Sequence, residues 1–199
     1  MFQEQWRSGM AHVGQALREP EEFAVRFQTG EAQYPWWVWW ALGSTAVLGT
    51  LTYGMSMGLL QGGALEMLTK GGICTLAAGL AWGIPLPALY ILNSLSGSRL
   101  SAASTLLAAL VTTSWGGLAM IASIPINWFF TTAIPQAGFV LLVNLIVFTG
   151  VGIAMIDVFQ RTMAKLEPER DRPPTWWLVL VGAIGTELFY CFGLFNFSA

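Results

Sequence analysis

The chain has 199 residues, of which 55% are hydrophobic and only 10% charged, with a net charge of −2 and a mean hydropathy of +0.59. An ordinary soluble domain carries about 25% charged residues, so the composition excludes one, and the lack of basic excess excludes a nucleic-acid partner. It points to an all-α integral membrane protein in contact with the lipid bilayer; a β-barrel would need short strands of alternating polarity in place of long apolar runs.

Residues 1–33 hold three Arg and five Glu and no apolar h-region, so no cleavable signal peptide is expected. Phe2, Trp6, Met10, Val13 and Leu17 recur at steps of three or four, which places them on one face of a helix. Pro20 ends that pattern and opens a second short helix, EEFAVRF, with acids in its first turn. An amphipathic segment beside a membrane helix is expected to lie on the cytoplasmic membrane surface; a docking surface for a partner is the alternative. Its slightly negative charge argues against an electrostatic grip on anionic lipids.

Residues 34–199 form the transmembrane domain in this reading. A helix needs about 20 apolar residues to cross a hydrocarbon core of about 30 Å, and five such runs follow in order: about 36–60, 71–95, 101–125, 136–159 and 174–197. Trp36, Trp37, Trp39 and Trp40 open the first run, and Trp176 and Trp177 open the fifth, at the depth where amphipathic rings anchor to the interface. An aromatic platform for a pigment or lipid is the alternative role. Gly54 and Gly58, then Thr75, Gly79 and Gly83, then Gly182 and Thr186, have the small-xxx-small spacing that permits close helix packing. Pro85 and Pro87 are predicted to kink or break the second run. No internal repeat is visible, and an odd number of spans argues against an inverted duplication.

Orientation follows from the basic residues. With five crossings, Arg7, Arg18, Arg26, Arg99, Arg161, Lys165, Arg170 and Arg172 share one side, and only Lys70 lies on the other. The positive-inside rule then predicts a cytoplasmic N-terminus and an outward C-terminus.

Candidate chemistry is sparse. The single histidine, His12, lies outside the apolar runs, so one chain cannot build a bis-histidine haem, a copper centre or an intramembrane Ser–His pair. Nucleophile-elbow, P-loop, H-E-x-x-H and zinc-spaced Cys/His patterns are missing too, and neither catalytic residues nor a cofactor or metal is assigned. Cys74 and Cys191 read as small apolar fillers, with a disulfide geometrically conceivable. The telling residue is Glu187, flanked on each side by seven uncharged residues in LVGAIGTELFYCFGL. An ionised carboxylate at the bilayer centre costs at least about 2.5–3.5 kcal/mol, so it must be protonated, hydrogen-bonded, or facing water or a partner. Asn144, Thr112, Thr113 and Ser114 fall at depths where they can join Glu187 in one intramembrane polar layer. Three roles stay open: a structural knot, a contact with another protein or ligand, and a proton relay.

The segment ALREPEEFAVRF resembles the L-x-x-P-x-x-F-F opening of the bacterial branch of the Ypt-interacting protein (YIP) family. PALYILNSLSGSRLSAASTLLAAL is similar to the loop and third span of small bacterial membrane proteins, and WWLVLVGAIGTELFYCFGLFNF to their last span. The resemblance implies a cytoplasmic N-terminus, five transmembrane helices, an outward C-terminus and a bacterial inner membrane. It transfers no catalytic residue, and Glu187 stands where many such proteins have an amide or other polar residue.

The expectation is therefore a non-catalytic scaffold or accessory subunit that associates with other membrane subunits or with itself. A small carrier or channel using a Glu187–Asn144 layer is the first rival, and a membrane-shaping protein acting through its N-terminal helix the second.

Overall fold

A computed structural model of the protein describes residues 11–59, 63–170 and 176–195. They form α1 (residues 11–18), α2 (Pro20–Gln28), α3 (Trp36–Met57), α4 (Ala64–Gly83), α5 (Pro85–Leu95), α6 (Ala102–Ala133), α7 (Ala137–Leu166) and α8 (Trp176–Cys191), with no strand among the described residues. Local chemistry sets several of these boundaries. Ser101 caps α6 by accepting a hydrogen bond from the Ser104 amide at 3.0 Å, satisfying one of the helix's orphan donors. Pro85 separates α4 from α5, since it has no N–H to continue the ladder, which is the break expected there. Gly97 and Gly193 turn the chain at φ +88° and +70°, conformations that side chains resist.

Three helices are long and apolar enough to cross a membrane: Ala64–Leu95, continuous through the break at Pro85, Ala102–Ala133 and Ala137–Leu166, of 32, 32 and 30 residues. The remaining two expected spans fall short of that standard. α3 has 22 residues but opens with four tryptophans and carries three threonines, two serines and Tyr53. α8 has 16 residues, about 24 Å at 1.5 Å per residue, because the chain turns at Gly193. Other limits also move. The second run starts at Ala64 and takes Glu66 and Lys70 into the helix. The third continues through Pro125 to Ala133, since proline is tolerated inside such helices when neighbours satisfy the freed carbonyl. The fourth runs seven residues past 159 into charged sequence.

α3 sits between α6 and α4, α7 packs on α6, and α8 packs on α4 and α5. Glycine sets the closest approach: a Cβ on Gly49 would fall on the Gly117 backbone, and one on Gly117 would meet the Thr45 carbonyl oxygen at 2.6 Å. Gly54 and Gly58 pack as expected, with Cys74 Cβ 2.5 Å and Met67 Cα 2.8 Å from where their own Cβ would be. Gly79, Gly83 and Gly182 do not pack; nothing lies within 4 Å of a Cβ there, because these positions face away from the neighbouring helices.

α2 docks on the ends of α6 and α7 instead of lying apart on a surface. Phe23 is fully buried with Ala16, Val38, Leu42, Leu107 and Val111. Its ring stacks on Tyr34 at 3.9 Å, whose hydroxyl donates to the Phe23 carbonyl at 3.0 Å. Around this apolar contact Glu21 pairs with Arg161 at 2.9 Å and Glu22 with Lys165 at 3.2 Å. Phe2, Trp6 and Met10 of the expected apolar face lie outside the described residues.

Candidate functional site

The expected polar layer does not assemble. Asn144 is buried and uses its Oδ1 to accept from the Tyr53 hydroxyl at 2.8 Å, while its amide donates to the Val140 carbonyl at 2.8 Å. Ser114 is buried with its Oγ 2.6 Å from the Leu42 carbonyl and 2.8 Å from that of Leu110, tying α6 to α3. Thr112 and Thr113 bond carbonyls of their own helix, at Ala108 and Leu110. Such back-bonding commits the hydroxyl's one proton to its own turn.

Glu187 is exposed on α8, and the hydrogen bond found for it is a weak one, from the Cys191 thiol one turn on, at 3.6 Å. Helical geometry explains why it misses Asn144. Leu178, Val181, Gly185 and Phe189 are the buried positions described on α8, and residue 187, two positions past 185, lies about 200° around the helix from it.

A different polar group lies within the bundle. The Asn127 amide donates to Ser56 Oγ at 2.7 Å, Ser56 donates to the Tyr53 carbonyl at 2.6 Å, and Thr131 Oγ1 stands 3.4 Å from Asn127 Oδ1. With Tyr53–Asn144, this string joins α3, α6 and α7. Sequence reasoning missed Tyr53, Ser56, Asn127 and Thr131, because ending the third span at Pro125 consigned Asn127 and Thr131 to a loop. The signal was available: apolar residues continue on both sides of Asn127, and Thr131 follows it at helical spacing. The string holds no carboxyl, imidazole or amine, and its hydrogen bonds tie α3, α6 and α7 to one another.

At the opposite end of the bundle Arg161 also bonds Asp157 at 3.0 Å, and Arg170 bridges Glu167 at 3.2 Å and Asn93 at 3.3 Å. Trp36 and Trp40 are 73% and 70% exposed, while Trp37 and Trp39 pack against the Phe23–Tyr34 cluster. Trp40 and Val47 line one side of a shallow open groove along α3; the side chains of Trp176 and Trp177 lie outside the description. Both cysteines are free thiols, Cys74 buried and Cys191 exposed. Among the described residues no group of three or more His, Cys, Asp or Glu is placed to hold a metal.

The fold and its polar groups define an all-helical protein with helices built to cross a membrane. No family model, curated protein or solved structure matches the chain.

Proposed function

We propose that the protein is a non-catalytic, five-crossing membrane protein that serves as an accessory subunit of a larger membrane assembly. The observation that carries this reading is Glu187, a carboxyl on the outward face of a mostly apolar helix, served among the described residues only by a thiol. A polar group at membrane depth requires a partner, and a lateral subunit contact supplies one. In the five-crossing arrangement α3, α4–α5, α6, α7 and α8 cross in turn. The ion pairs between α2 and α7, and the hydrogen bond from the Arg99 amide to Glu167, then gather on the cytoplasmic side, opposite the C-terminal ends of α3 and α6. This is also the arrangement that the YIP resemblance implies. A bacterial inner membrane with the N-terminus inside fits the distribution of basic residues.

The carrier reading has less support, since Glu187 and Asn144 share no hydrogen bond and the buried string contains no titrating carboxyl. The membrane-shaping reading rests on the apolar face of residues 2–17, most of which lies outside the described residues.

Gentle detergent extraction from the native membrane, followed by sizing and mass spectrometry, tests the proposal. The expected result is a particle well above 21.6 kDa plus its detergent belt, holding other membrane subunits at fixed ratio. Recovery alone, or only as a homo-oligomer, would overturn it.

A further inference from the structure

We infer that the outward stripe of α8 docks a transmembrane helix of another protein that carries a lysine or arginine at the depth of Glu187. The inference rests on the accessory-subunit reading and names the partner's chemistry. Depth comes first, with α4 as the ruler. Phe189 packs with Cys74 and Ala77, and Leu178 and Val181 pack with Leu89, so α8 runs antiparallel to α4–α5. A Cβ on Gly185 would lie 3.4 Å from Ala81 Cβ, which sets Glu187, two residues further along α8, level with Gly79. Gly79 is nine residues beyond Lys70, about 13 Å at 1.5 Å per residue. On the other side Asn93, beside Arg170, is fourteen residues further, about 21 Å along the helix by the same rise. Glu187 is thus near mid-membrane, too deep to reach a headgroup.

Direction comes second. Leu180, Ala183, Glu187 and Tyr190 are exposed and recur at steps of three and four, the seam of a helix–helix contact. Small Ala183 permits close approach one turn from the carboxyl. Charge comes third. Glu187 can accept several hydrogen bonds, and the one found for it comes from a thiol, a weak donor. A second copy of this chain offers no cation at that level, because Lys70 is about 13 Å away and the other basic residues fall in the sequence outside the apolar runs. Two copies would set carboxyl against carboxyl. Charge complementarity therefore selects a basic residue from a different chain, as intramembrane ionisable groups pair with one another.

The test uses the full-length protein, donor-labelled, in phosphatidylcholine liposomes with acceptor-labelled synthetic helices of about 20 Leu/Ala residues. One peptide carries a single central Lys, a second carries Leu there and a third Glu. The expected result is energy transfer to the Lys peptide at about tenfold lower peptide-to-lipid ratio than to the Leu peptide, with no gain for the Glu peptide. That advantage should vanish in Glu187→Gln and weaken in Ala183→Leu, which blocks approach and leaves the carboxyl in place. Equal binding of the Lys and Leu peptides overturns the inference, as does a Lys advantage that survives Glu187→Gln. Transfer between differently labelled copies that is lost in Glu187→Gln assigns the face to self-association and overturns it as well. Failure here, with a larger assembly still recovered from native membranes, leaves the accessory-subunit reading standing.

Discussion

Tyr53 and Asn144 form the side-chain hydrogen bond that joins α3 to α7. Tyr53→Phe leaves Asn144 Oδ1 buried without that donor, and the expected loss is about 1 kcal/mol, in the range of interhelical hydrogen bonds in membranes. Thermal unfolding in detergent should show a lower Tm for Tyr53→Phe and almost none of that loss for Thr112→Val, whose hydroxyl serves only its own helix. Equal shifts for the two would mean that the bond to Asn144 contributes nothing. Outside the spans, burial raises the Tyr34 phenol above its ordinary value near 10, opposed by nearby Arg26. The folded state therefore favours the neutral phenol, which is also the donor to Phe23. That contribution is complete below the unfolded value and is lost as pH rises through the raised folded one. Fluorescence-detected Tm should fall more steeply above about pH 10 in the native chain than in Tyr34→Phe; parallel curves would refute the assignment.

Two elements depend on contacts of different kinds. The α3–α6 crossing relies on absent side chains: Gly49→Ala places a methyl on the Gly117 backbone, where no rotamer can relieve the clash, and destabilisation beyond about 1–3 kcal/mol is expected. Gly79→Ala, with nothing within 4 Å, should instead hold or raise stability by up to about 1 kcal/mol through helix propensity. Opposite signs in a detergent unfolding series check this, and a stabilising Gly49→Ala would disprove the packing argument. The α2 latch relies on an aromatic ring. Phe23→Ala removes a fully buried side chain, worth about 3–5 kcal/mol in cores, whereas Glu22→Gln breaks a largely exposed ion pair worth about 0–1 kcal/mol. Hydrogen exchange of the α2 amides should accelerate strongly in the first variant and little in the second. The reverse order would make the ion pairs the true latch.

For the molecule as a whole, the proposed five-crossing topology makes a labelling prediction. With Cys74 and Cys191 replaced by Ala, a cysteine at Ser98 should react with a membrane-impermeant maleimide only from the cytoplasmic side, and one at Gln136 only from the other. Labelling of both from one side would remove a crossing. The class of protein is legible in the amino-acid order alone: helical rather than stranded, membrane-directed, broken at Pro85, with most charges outside the apolar runs. Those properties are sums over many residues, and a misread Pro125 or an early end at Cys191 hardly changes them. Which polar residue meets which emerges from the packed helices. Asn144 lay in the expected layer, yet its partner is Tyr53, 91 positions away in sequence, and Glu187 at a comparable depth points outward. Depth can be counted along one helix at a fixed rise per residue, but partnership depends on the rotation of each helix about its own axis. That rotation is set by close contacts such as Gly49 on Gly117 and Gly185 on Ala81, between residues far apart in the chain, and no single apolar run encodes it.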